Sequence, residues 1–137
     1  MDTDWESPKE SLMPTDLPST ILFIGRLLLG GGMFVAGIRN AMGFAVLRGL
    51  MAGKVPMPDV ALIIGIAMLV AGGGLLAIGV WVPLAAAILI IFVAMATAMF
   101  HDFWTLPPGP DRVQKINSFM SNVMLIGGLL IALASGL

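Results

Sequence analysis

His101-Asp102-Phe103-Trp104 brings together an imidazole, a carboxylate and an indole directly after Val60 to Phe100, a run without a charged residue. His101 is the only histidine of the chain. With an ordinary pKa of about 6.5, an imidazole exchanges a proton near neutral pH, so His101 suits a proton donor or a hydrogen-bond partner to a reducible carbonyl. Arg39-Asn40 closes an earlier apolar stretch, at the same level of the chain's path as His101 and Asp102. Two uses of this cluster stand side by side. In one, Arg39 pairs with Asp102 and clasps the first and third apolar segments together; in the other, the polar groups hold a small headgroup at a membrane surface.

Arg26 lies about two turns inside the first apolar segment, where an unpaired charge costs up to about 3 kcal/mol on insertion scales. No acid falls in the interior of any of the apolar segments. Asp16 or the carboxylate of Leu137 would meet Arg26 on the same side, and a quinone carbonyl or a lipid phosphate is the alternative. Trp81 and Trp104 suit anchors in the aromatic belts at the two membrane faces.

These residues need a scaffold, and composition says which kind. The chain has 137 residues, 58% of them hydrophobic and only 11% charged, and a mean hydropathy of +1.01. A soluble domain carries about a quarter charged residues, so this is an integral membrane protein. The net charge of -1 and the absence of clustered Lys and Arg speak against a nucleic-acid partner. Without cysteine the chain forms no disulfide, offers no thiolate nucleophile and binds neither zinc nor iron-sulfur clusters through sulfur. A single histidine excludes bis-histidine haem within one chain. The eleven methionines suit adaptable packing in apolar helices.

Four stretches reach the roughly 20 apolar residues that a helix needs to cross about 30 Å of hydrocarbon. They predict an all-α four-helix bundle with helices over about 19–38, 57–79, 83–100 and 117–136, preceded by a polar, acidic tail over 1–18. The tail lacks the basic start and early apolar core of a secretory signal. Gly79-Val80-Trp81-Val82-Pro83 is the turn that folds the long uncharged run back on itself, with Pro83 in the first turn of the next helix. The stretch from Arg39 to Gly53 reads either as a short interfacial amphipathic helix, with Met42, Val46 and Leu50 at four-residue spacing, or as an ordinary loop. Pro107-Pro108-Gly109-Pro110 reads as a stiff turn. Arg39, Arg48, Lys54, Arg112 and Lys115 all flank the spans on one side, which predicts that loops 39–56 and 101–116 are cytoplasmic and both termini face outward.

Gly32/Ala36, Ala67/Ala71 and Gly128/Ala132 place small residues four apart, a spacing that lets helices approach closely within a bundle or against neighbouring subunits. Besides lipid, the expected partners are therefore proteins of a larger membrane complex, respiratory or photosynthetic. Transport is disfavoured, since no acid lies at mid-membrane and no paired broken segments appear.

The order and spacing of Arg26-Leu27-Leu28-Leu29-Gly30, Arg39, Pro56-Met57-Pro58, His101-Asp102-Phe103-Trp104, Asn117-Ser118-Phe119-Met120-Ser121-Asn122 and Ile126-Gly127-Gly128-Leu129-Leu130 resemble the DoxX family, over roughly residues 20 to 136. The resemblance implies a small multi-pass protein of the bacterial cytoplasmic (inner) membrane, similar to the quinone-reducing membrane subunit of thiosulfate:quinone oxidoreductase and to other DoxX-like partners of redox enzymes. Arg26, Arg39, His101 and Trp104 match the family pattern. With Asp102, they are the expected contacts for a quinone or a lipid headgroup. Quinone is the implied cofactor, and nothing is expected to be bound covalently. The sequence contains no soluble electron-accepting domain, so a redox role would depend on a partner. The alternative is a non-catalytic accessory subunit that stabilises its complex.

Overall fold

Asp16 starts the first helix: its carboxylate accepts the Ser19 N–H at 3.2 Å, its carbonyl accepts the Thr20 hydroxyl at 2.8 Å, and Pro18 sits in the first turn. The computed structural model describes residues 15–137. Its helices are α1 (Leu17–Met42), α2 (Phe44–Met51), α3 (Pro58–Ile78), α4 (Val82–Phe100) and α5 (Pro110–Ser135), with a short 3₁₀ turn at Phe103–Thr105. No strand occurs among the described residues; an isolated bridge joins Ala52 and Val55. α1, α3, α4 and α5 are each long and apolar enough to cross a membrane, as the hydropathy predicts. The acidic-tail expectation falls, over residues 1–14, outside the described residues.

Three boundaries depart from the sequence prediction. α1 continues to Met42 rather than ending near Ile38, and Gly43 caps it by donating to the Arg39 carbonyl at 2.9 Å. The Arg39–Gly53 stretch contains a helix, α2, rather than a plain loop. α5 begins at Pro110 and not near Asn117, because Pro110 occupies a first-turn position where a missing N–H costs nothing. At about 1.5 Å per residue, α1 and α5 run about 39 Å each and overrun the hydrocarbon, whereas α3 and α4 match it at about 28 to 32 Å.

α1 packs chiefly on α3, α3 on α4, and α4 on α5; α1 meets α5 only slightly and shares no close approach with α4. Leu69, Leu76, Ala85, Leu89, Val93 and Leu129 form the buried centre. The tightest seam lies between α1 and α3. A Cβ on Gly30 would lie 2.6 Å from the Gly73 carbonyl and collide with the Ala77 backbone, and one on Gly73 would lie 2.7 Å from the Gly30 carbonyl. At Gly37, two turns on, a Cβ would lie 2.8 Å from Val70 and 2.9 Å from Leu69 side-chain atoms. The seam thus uses Gly30, Gly37 and Gly73. Gly32, Ala67 and Ala71, read from sequence as packing residues, are exposed on the outside of the bundle.

The α3–α4 turn is set by Gly79 at φ +77°, a left-handed conformation that glycine adopts without steric cost. Val80 donates back to the Leu75 carbonyl at 3.0 Å, closing the α3 end in the manner of a Schellman cap. Trp81 also has positive φ, 48°, and stands exposed at the tip of the turn.

Candidate functional site

The end of the bundle that carries His101 is built from α2, the start of α3, the end of α4 and the first turns of α5. Arg48, Lys54, Arg112 and Lys115 lie on or between these elements. Arg48 Nε lies 2.7 Å from Asp59 Oδ1, a charge contact whose N–H is not aligned as a hydrogen bond. Lys54 Nζ sits 5.3 Å from the centroid of the Phe100 ring.

His101 terminates α4, its N–H donating to the Thr97 carbonyl at 3.0 Å. Its side chain lines an open groove of about 730 Å³ between the end of α4 and the N-terminal half of α5. The α5 wall of this groove carries Gln114, Asn117, Ser118, Ser121 and Asn122. Their offsets of three, four, seven and eight residues from Gln114 are those of a single helix face, which is why one helix presents five polar side chains to one space.

Two cross-links hold the groove's walls together. Toward the bundle centre, Asn122 Nδ2 donates to Thr97 Oγ1 at 2.8 Å, and Thr97 Oγ1 donates to the Val93 carbonyl at 2.6 Å. Thr97 is the only polar residue in the buried set among the described residues. Toward the surface, Lys115 Nζ meets Asp102 Oδ1 at 2.7 Å. Asp102 also fixes the 3₁₀ turn, since its carbonyl accepts the Thr105 hydroxyl at 2.8 Å.

The five residues singled out from sequence therefore separate. His101 lines the groove, and Asp102 borders it in an ion pair. That pair is with Lys115 and not with Arg39: α1 and α4 do not meet, so the end of α1 is not a neighbour of Asp102. Arg39 is exposed and takes part in no ion pair among the described residues. Trp104 stacks edge-on with Phe103 at 5.4 Å and with Phe119 at 6.5 Å, an aromatic cluster that fastens the 3₁₀ turn to α5. Arg26 lies at the opposite end. Its guanidinium packs on Gly79, 3.2 Å from where a Cβ would stand, at the C-terminus of α3. The first two turns of α1 thus project past the α3–α4 turn, and Arg26 sits at the level of a helix end whose partial negative charge favours a cation. Neither Asp16 nor Leu137 pairs with it among the described residues.

Sequence reasoning passed over the polar face of α5, although its three-and-four spacing is visible in the sequence. Among the described residues no three His, Asp or Glu side chains gather as a metal site. The groove's neutral amides, hydroxyls and imidazole can instead donate to and accept from an uncharged oxygen-bearing headgroup.

Four long apolar helices in series, with a polar groove at one end of the bundle, define a multi-pass membrane protein. The DoxX family model matches residues 21–102, more than half of the chain, and the protein belongs to the DoxX family. The matched span stops at Asp102, so α5 and the polar wall of the groove lie beyond it, whereas the motif resemblance extends to about residue 136. No curated protein and no solved structure matches the chain.

Proposed function

We propose that this DoxX protein is a membrane subunit of a quinone-linked redox complex and holds the quinone headgroup in the α4–α5 groove. The observation that carries this reading is the groove itself, in which His101 and five neutral polar side chains face one space at the end of an apolar bundle. A quinone carbonyl is uncharged, so it gains from neutral hydrogen-bond donors. Its isoprenoid tail would run along the exposed apolar faces of the helices, which lipid otherwise covers. His101 is the group able to exchange a proton with the bound headgroup, and electrons would come from a partner subunit. With the basic end toward the cytoplasm of a bacterium, the groove opens on the cytoplasmic side of the inner membrane, and exposed Arg39 meets lipid phosphate there.

The test is equilibrium binding of decylubiquinone to the full chain in lipid nanodiscs. Replacing His101 by Gln or Asn117 by Leu is expected to weaken binding by about three- to tenfold each, the worth of one hydrogen bond. Unchanged affinity in both variants would overturn the reading.

A second reading, an accessory subunit that stabilises a larger respiratory or photosynthetic complex, is favoured by one observation. Gly32, Ala67 and Ala71 are exposed and unused in the bundle's own packing, which leaves close-approach surfaces for helices of neighbouring subunits. Recovery of the protein only as a free monomer under mild extraction would count against it.

A further inference from the structure

The Thr97–Asn122 link fixes the sense of one groove-lining group and leaves its neighbours free. Thr97 has a single hydroxyl proton, and Oγ1 donates it to the Val93 carbonyl within α4 at 2.6 Å. Thr97 Oγ1 can then only accept from α5, so the Asn122 atom 2.8 Å away must be the amide nitrogen. With that nitrogen held against α4, Asn122 Oδ1 takes no hydrogen bond among the described residues and is not enclosed, so the groove-lining amide offers an obligate acceptor.

The other groups are not constrained in this way. A serine hydroxyl turns, an imidazole changes tautomer, and Gln114 and Asn117 rotate their amides, so each serves a donor or an acceptor equally. Asn122 is also the groove residue bonded to buried Thr97, one turn inside the end of α4 that His101 closes. An acceptor placed against that oxygen sets lone pair against lone pair, whereas a donor gains a hydrogen bond.

We propose that the inner end of the groove selects a hydroxyl donor, so that the hydroquinone form is held more tightly than the quinone. This rests on the quinone reading above and deepens it. Both headgroup oxygens of a quinone are acceptors and would face the lone pairs of Asn122 Oδ1. A hydroquinone O–H donates to that oxygen instead. Thr97 is a positioning residue here, acting through Asn122 without touching the ligand.

The experiment uses the full chain in nanodiscs under anaerobic conditions, with decylubiquinone and chemically reduced decylubiquinone competing separately against a photoreactive azido-quinone that labels α5. The wild-type chain is expected to bind the reduced form about tenfold more tightly, the worth of one hydrogen bond. Thr97→Val releases the amide to turn, and the ratio is expected to fall toward one. Thr97→Ser keeps the hydroxyl and is expected to restore the preference, which a merely structural role for Thr97 would not require. Equal or inverted affinities in the wild-type chain, or a preference that survives Thr97→Val, would overturn the proposal while leaving the groove as a quinone site. If neither form protects α5 from labelling, the quinone reading fails and this proposal fails with it.

Discussion

Replacing Gly73 by Ala tests the seam that gives the bundle its shape. The new Cβ would lie 2.5 Å from the Phe34 backbone nitrogen and 2.7 Å from the Gly30 carbonyl, both on α1. Both obstacles are main chain in a neighbouring helix, so no rotamer change relieves them. Restoring an ordinary separation of 3.4 Å from the nearer atom needs a displacement of 3.4 − 2.5 = 0.9 Å between α1 and α3. A gap of that order forfeits a quarter to a half of the dispersion energy of each contact along the seam. Overpacking of this kind costs about 1 to 3 kcal/mol, partly offset by up to about 1 kcal/mol from the better helix propensity of alanine. The paired control is Gly32→Ala, because a Cβ there meets nothing within 4 Å. It is expected to leave the isolated protein unchanged or raise its stability by up to about 1 kcal/mol. Thermal unfolding in detergent, followed by far-ultraviolet circular dichroism, reads both variants. A Gly73→Ala protein as stable as the wild type, or a Gly32→Ala protein destabilised to the same degree, would refute the packing argument.

Two further outcomes follow from the N-terminal part of α1. Arg26→Gln removes the cation from the C-terminus of α3, and a loss of about 0.3 to 1 kcal/mol is expected in the same unfolding assay; a larger loss would point to a buried anionic partner instead. At Asp16, the hydrogen bonds from Ser19 hold the carboxyl below the ordinary carboxylate range. A carboxylate of depressed pKa stabilises the fold above its unfolded value, about 3.9, and that contribution disappears as the pH falls through the lower folded value. Amide exchange at Ser19 and Thr20 is therefore expected to be protected at pH 5 and to lose protection, relative to an Asp16→Asn control, in acid below about pH 4.

The spans were legible because their signal is a sum over some twenty residues, and a single Arg26 or Asn122 hardly changes it. Helix ends were less legible. The first turns of α5 carry Asp111, Arg112, Lys115 and Asn117, a composition that reads as loop, yet α5 extends there because it overruns the hydrocarbon into the polar interface. The pairing of Arg39 with Asp102 failed for a different reason. Sequence position gives depth in the membrane but not which helix lies beside which, and the bundle sets α3 between α1 and α4. Lys115, one helix further on, takes Asp102 instead. The same limit applies to the small residues: four-residue spacing finds surfaces that permit close approach, whereas the seven-residue step from Gly30 to Gly37 marks the face actually used. The polar face of α5 is visible in the three-and-four spacing of Gln114, Asn117, Ser118, Ser121 and Asn122, but neutral side chains interrupt an apolar span less sharply than charges do.

The measurement that bears most directly on the function is the site of photolabelling by an azido-quinone in native membranes. The groove reading predicts label concentrated on α5 between Gln114 and Asn122, removed by excess decylubiquinone and diminished by His101→Gln. Label spread over the lipid-facing surfaces of α1 and α3, unaffected by competitor, would contradict it.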